Sequence, residues 1–295
     1  MVAQFLPVPR FDPNEITRFT GLIVGGTFIF VMGLWDDVRE FGPIPQFIAQ
    51  GVAASIAIAF LIFIERINNP FTGQPIEWGH LITISVTVVW LGLMMNTVNF
   101  LDGLDGLASG VSLIAGLMLF VNSAFRIVPA QTSVSLLPLA LVGSCLGFLM
   151  YNFNPARVFM GSSGAYFLGY ALGTLSIIGG AKMATILLVM GLPLLDVIWQ
   201  IVNRMSQGRN PFHGDRGHLH FRLVDMGYSQ RLIVLSYYLF CTFFGVLTLV
   251  ITSQLYKMLA LVLMTVFVVV GFYLLKRMDY QASSSSSTGS SPSAS

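Results

Sequence analysis

A succession of apolar runs, each about 20 residues long and separated by short polar stretches, limits this chain to one kind of architecture. The runs fall near residues 17–35, 46–64, 80–98, 107–125, 134–151, 165–181, 183–203, 231–253 and 255–275. A helix rises about 1.5 Å per residue, so about 20 such residues cross a hydrocarbon core of about 30 Å. None of the runs shows the alternation of a membrane β-strand, which leaves helices as the way to satisfy the backbone in lipid. Composition agrees. Of 295 residues, 55% are hydrophobic and 9% charged, against about 25% charged in soluble domains. The expected fold is all-α: a polytopic transmembrane helical bundle of about nine spans over residues 1–280. A serine-rich tail at 281–295 has no sizeable apolar side chain to bury and is expected to be disordered.

Other classes drop out quickly. A net charge of +2 is too small to call for a nucleic-acid partner. Cys145 and Cys241 lie inside apolar runs, where helix packing explains them without a disulfide framework or metal cluster. The first 19 residues lack the charged-then-apolar order of a signal peptide, and Asp12 or Asn14 is a candidate N-cap for the first helix. No internal repeat of the kind found in many transporters is visible.

Alternating the nine spans puts the loops after spans one, three, five and seven, and the C-terminus, on one face. That face carries Arg39, Arg157, Arg204, Arg209, Arg216, Arg222, Arg231, Lys276 and Arg277. The other keeps Arg10, Arg18, Arg66, Arg126, Lys182 and Lys257. Nine against six makes the first face cytoplasmic by the positive-inside rule. The same face holds Asp36, Asp37, Asn96, Asn99, Asp102, Asp105, Asn152, Asn154, His213, Asp215, His218 and His220. One-sided polarity suits an enzyme working at the inner membrane surface better than a conduction path.

Four segments concentrate the chemistry. In GLWDDVRE, the adjacent Asp36 and Asp37 repel unless a cation compensates, as a divalent metal bridging to a diphosphate would; a hydrated helix end is the plain alternative. In NTVNFLDGLDGLASG, Asp102 and Asp105 are three apart and share a face on a helix, with glycines that let a ligand approach the backbone. Elsewhere this pattern is often only a turn. In YNFNPARVFMGSSGAYF, small residues lead into a helix whose first N–H groups suit an anion such as phosphate; a re-entrant turn explains them as well. In QGRNPFHGDRGHLHFRL, Arg209, His213, Asp215, Arg216, His218, His220 and Arg222 form the densest polar cluster. His218 and His220 are half of a zinc site without the other half, whereas arginines and histidines suit diphosphate oxygens. The alternative is a basic loop held to anionic lipid. Asp196 is an acid within a span, a functional candidate or a structural partner for another polar group.

In this order the segments resemble the polyprenyl-phosphate N-acetylhexosamine-1-phosphate transferase family. That family includes the undecaprenyl-phosphate GlcNAc-1-phosphate transferases and the phospho-MurNAc-pentapeptide translocase. The resemblance runs from about residue 20 to 250, on WDD at 35–37, NTVNFLDGLDGLASG, YNFNPARVFMG, PLLD at 193–196 and DRGHLHFRL at 215–223. It implies transfer of a sugar 1-phosphate, GlcNAc-1-phosphate for the HLHFR pattern, from a UDP-sugar to a polyprenyl phosphate, with UMP released and Mg²⁺ required (Mn²⁺ as the alternative). A homodimer is a further expectation by analogy.

Carried over residue by residue, the resemblance makes Asp36, Asp37 and Asp105 the catalytic candidates, one of the aspartate pair being a base. Asn99, Asp102 and Asn152, with His213, Asp215, Arg216, His218, His220 and Arg222, become candidate substrate contacts. Asp102 and Asp105 are also the candidate metal ligands. Ser162 stands where the family has a metal-binding aspartate and is a weaker, neutral ligand. Phe221 replaces one expected histidine. Relative to the family pattern, one or two helices before the aspartate pair are missing from this sequence. The two rival readings are a catalytically impaired relative that binds polyprenyl phosphate or a partner enzyme, motivated by Ser162, and a transporter, which would need polar residues through the bilayer depth.

Overall fold

The computed structural model describes residues 10, 12–126, 131–178, 182–208 and 217–288. Each of the nine apolar runs contains a helix. In chain order the helices are α1 (Glu15–Arg39), α2 (Pro43–Ala59), α3 (His80–Leu101), α4 (Leu107–Val121), α5 (Thr132–Asn152), α6 (Gly161–Ile177), α7 (Met183–Val189), α8 (Gly191–Ser206), α9 (Leu219–Asp225), α10 (Gln230–Val250) and α11 (Gln254–Thr288). A π-helical turn, Asn122–Arg126, prolongs α4. A two-stranded antiparallel hairpin between α2 and α3, β1 (Arg66–Asn68) on β2 (Pro75–Glu77), was not legible as an apolar run and is the only sheet among the described residues.

The chain is an all-α, multi-pass membrane protein. Six helices, α1, α3, α4, α5, α10 and α11, are long and apolar enough to cross a bilayer. The pair α7 and α8, bent by 75° at its break, adds a seventh if taken as one span. The 17-residue α2 and α6 are only about 26 Å long at 1.5 Å per residue. The expected span 183–203 breaks for a local reason. Pro193 has no N–H to give the carbonyl of Val189, four residues back, and Gly191 beside it lets Met264 of α11 press against the bend. At the other end of the chain, α11 reaches Thr288 and so enters the serine-rich segment; a helix already formed extends at little cost per residue.

α6 lies between α1 and α3 and is joined to each by glycine. A side chain at Gly169 would stand 2.5 Å from Met95 Cα, and one at Gly33 would stand 2.5 Å from Ser163 Cα. With lipid outside as apolar as the helix faces, close backbone approach of this kind is what holds membrane helices together. Tyr170 adds a fixed point, its hydroxyl donating to the carbonyl of Gly21 at 3.0 Å. Cys145 and Cys241 are buried free thiols, in keeping with packing.

The helices alternate in direction, so the ends of α1, α3 and α5 meet the starts of α2, α4, α6 and α10 at one end of the bundle. Every described site residue lies there. At the opposite end Asp12 binds Arg18 (2.7 Å), and buried Glu15 accepts from Ser133 (2.9 Å), tying α1 to α5. Neither Asp12 nor Asn14 caps α1 with its side chain.

Candidate active site

The aspartate pair divides. Adjacent residues on a helix point about 100° apart, so one rotation of α1 cannot aim both carboxylates at one place. Asp36, 5% exposed, turns into the α1–α2 connection, where it accepts from Phe41 N (2.8 Å) and from Gln46 Nε2 (3.2 Å). Asp37 faces α6. Its Oδ1 accepts from Ser162 N at 2.7 Å and its Oδ2 from Ser163 N at 3.1 Å. Gly33, four residues earlier and on the same face, is the point of closest approach that permits this contact.

The helix start that sequence reading offered to a phosphate is therefore occupied by the protein's own anion. The first N–H groups of α6 and the positive end of its dipole stabilise Asp37. Gly161, at φ +67°, must be glycine, because a side chain there would lie 2.7 Å from the Asp37 carboxylate. The N–H of Gly161 also holds Asp102. Ser162 supplies its backbone to this cap.

Asp102 and Asp105 sit on a turn between α3 and α4. Gly106 takes φ +82° to start α4. The turn is bracketed by Asn152, whose Oδ1 accepts from Gly106 N (3.1 Å) and Ser109 Oγ (2.8 Å) while its Nδ2 donates to Val158 O (3.0 Å). Asn152 thus joins the turn to the segment after α5 through both its oxygen and its nitrogen. Asn96 is likewise engaged, donating to Gln50 Oε1 (2.7 Å) and Gly92 O (2.8 Å). Asn99 stays half-buried one turn before Asp102.

Asp105 Oδ2 accepts from Asn154 Nδ2 (2.9 Å) and Ala156 N (3.0 Å). Asn154 also donates to Gln230 Oε1 (2.7 Å), and its carbonyl accepts from Arg231 Nε (3.1 Å). The start of α10 thereby fixes Asp105 through Asn154. Gln230 was missed in the sequence; its only signal there is a polar residue opening an apolar run.

Asp37 and Asp105 both lie close enough to Asp102 to act on its carboxyl. Burial pushes Asp102 up to about 7, opposed by the Gly161 N–H and reinforced by Asp37 and Asp105. Among the described residues no three His, Cys, Asp or Glu side chains converge as a ready-made cation site. The donor set of Asp37, Asp102 and Asp105 is nonetheless all oxygen, which suits a hard cation that takes one or two protein carboxylates and completes its shell from substrate.

The histidine loop is described only in part. His213, Asp215 and Arg216 lie outside the described residues, as does Arg209. His218 and His220 are buried, and their rings lie nearly parallel, 14° apart with centroids 5.8 Å apart. Stacked rings do not point their nitrogens at a common metal. Burial pushes His220 down to about 4, with Asp196 opposing and His218 adding to the shift. His220 and Phe221 both pack on Gly103, where a side chain would come within 2.9 Å and 2.5 Å of them. The histidine loop therefore rests directly on the Asp102–Asp105 turn. Arg222, in α9, is half-buried.

Carboxylates thus gather at one end of the helical bundle, against a histidine loop. The chain belongs to glycosyl transferase family 4, whose family model matches residues 19–180. It is 32% identical over 243 residues to a probable undecaprenyl-phosphate N-acetylglucosaminyl 1-phosphate transferase of Bacillus subtilis, covering 80% of this chain and 67% of that protein. It is 33% identical over 262 residues to a decaprenyl-phosphate N-acetylglucosaminephosphotransferase of Mycolicibacterium smegmatis (81% and 64%). A phospho-N-acetylmuramoyl-pentapeptide-transferase of Listeria monocytogenes matches at 35% over 258 residues (81% and 76%). The chain spans about two thirds of the length of the first two relatives.

Proposed function

We propose that this protein transfers a sugar 1-phosphate, GlcNAc-1-phosphate by the names of its relatives, from a UDP-sugar to a polyprenyl phosphate. A lipid phosphate oxygen attacks the phosphorus attached to the sugar. The bond from that phosphorus to the bridging oxygen breaks, and UMP leaves with that oxygen. The product is a polyprenyl diphosphate sugar. The observation that carries this reading is that Asp37, Asp102 and Asp105, all on the family's motifs, lie at one end of the bundle, with Asp37 and Asp105 both acting on Asp102. Lipid phosphate and nucleotide reach such a site from bilayer and cytosol respectively, at the inner membrane.

The protein's part is positioning and charge control, as phosphoryl transfer requires. Asp37 is the candidate base: each oxygen accepts one N–H and keeps a lone pair. Asp102 and Asp105 would hold Mg²⁺, with the Ser162 hydroxyl as a weak third ligand; the ion supplies neutralisation of phosphate charge during transfer. His218 and Arg222 are the candidate contacts for the nucleotide.

The direct test uses the purified protein with undecaprenyl phosphate, Mg²⁺ and a panel of UDP-sugars, following UMP and the lipid product by mass spectrometry. Release of UMP with a lipid-linked sugar is expected for UDP-GlcNAc. No product from any sugar would refute the reading. Ser162 supports a sharper expectation. Ser162→Asp adds a carboxylate beside Asp37 and Asp102, so the Mg²⁺ concentration giving half-maximal activity should fall about tenfold. A wild type that is inactive at saturating Mg²⁺ and is rescued by Ser162→Asp would instead favour the impaired-relative reading.

A further inference from the structure

Asp196 lies outside the carboxylate group described above and is buried against the histidine loop. It is 4% exposed in α8, and its Oδ2 is 2.9 Å from His218 Nδ1. A carboxylate can only accept there, so Nδ1 carries the proton. Oδ1 accepts from Leu219 N at 3.1 Å. One turn further along α8, Gln200 donates to the carbonyl of Gly217. Residues 196 and 200 thus clamp the segment 217–219 from a single helix face. The His218 ring is stacked on Phe100 of α3 (4.6 Å, 28°) on one side and lies near-parallel to His220 on the other. Rotation and tautomer are both fixed.

What remains is Nε2, which is buried and has no hydrogen-bond partner among the described residues. A native fold rarely leaves such an atom unpaired, because it loses its hydration without gaining a partner. Diphosphate oxygens are acceptors. A ring whose Nδ1–H is already given to a carboxylate can donate to one only through a proton on Nε2, that is, as the imidazolium. Asp196 compensates that charge at hydrogen-bond distance. Neutral His220 beside it contributes no competing charge.

We propose that Asp196 is a positioning residue that fixes His218 with Nδ1 protonated, so that the imidazolium Nε2–H is delivered to a phosphate oxygen of the bound UDP-sugar. The identity of the ligand rests on the transferase reading; the tautomer of His218 does not. The experiment is ¹⁵N-histidine NMR on the detergent-solubilised full chain, which holds only four histidines, assigned with His218→Gln. In the unliganded wild type the Nδ1 of His218 should be protonated, and in Asp196→Asn that preference should be lost. On adding UDP-GlcNAc without a lipid acceptor, both nitrogens of His218 should become protonated. An Nδ1 without a proton in the wild type would overturn the proposal, even if Asp196→Asn failed to fold. So would a His218 that remains singly protonated with nucleotide bound.

Kinetics supply the second arm. Asp196→Asn should lower kcat/KM for the UDP-sugar about 10- to 100-fold and leave the KM for polyprenyl phosphate unchanged. The double variant with His218→Gln should be no worse than His218→Gln alone. Additive losses, or an unchanged kcat/KM, would also overturn it. A wild type that turns over no UDP-sugar would sink the transferase reading while leaving the unliganded tautomer as an independent result.

Discussion

Asp37→Asn should reduce UMP release by about 100- to 1,000-fold, the scale on which a single preorganised charge contributes at a reacting centre. The expectation follows from two partners at once. The carboxylate accepts from Ser162 N and Ser163 N, one on each oxygen. A carboxamide has only one acceptor oxygen, so its NH₂ would face a backbone N–H and leave that donor unpaired at about 1–3 kcal/mol. The negative charge facing Asp102 is lost as well. Asp105→Asn should fall in the same range, since Oδ2 is held by Asn154 Nδ2 and Ala156 N. The check is single-turnover UMP release at saturating UDP-sugar and Mg²⁺, together with a melting curve. A rate within about threefold of wild type in either folded variant would remove that residue from the chemistry.

The second large effect is on the fold. Gly169→Ala and Gly33→Ala should each destabilise the protein by about 2–3 kcal/mol, roughly 5–10 °C in Tm. In both cases the added methyl meets backbone, 2.5 Å from Met95 Cα or from Ser163 Cα, and backbone cannot step aside as a side-chain end can. The controls are Gly143→Ala and Gly147→Ala in α5, where nothing lies within 4 Å; these should leave Tm unchanged or raise it. Gly33→Ala should also lower activity, because it pushes α1 off the α6 turn that holds Asp37. Equal melting temperatures for all four variants would mean that α6 is not held as described.

The helices were legible because lipid enforces long apolar runs, and the motifs were legible because charged residues are scarce in such a chain. The gathering of the acids at one end followed from counting helices. Other features depend on distances that a sequence does not carry. Asp36 and Asp37 look equivalent as neighbours; only the rotation of α1, set by Gly33 against Ser163, separates a turn residue from a site residue. The run GSSG offered a helix start suited to phosphate or a plain re-entrant turn; the group found on it is Asp37, from 125 residues earlier in the chain. Asp196 showed itself as a buried acid, and its partner appeared only when α8 was seen to pass beside α9. The break at Met190 had its signal in Pro193, but an isolated proline in an apolar run is equally compatible with a mild kink.

The bond between Asp37 and the first turn of α6 also works as a gauge of register. One residue inserted between Gly33 and Asp37 would rotate the carboxylate by about 100° and lift it by about 1.5 Å, taking it off both N–H groups while leaving every apolar run intact. Such a chain should still enter the membrane and still measure as helical. Transplanting this site into another bundle therefore means moving Gly33, Asp37 and the start of α6 together, with their spacing preserved.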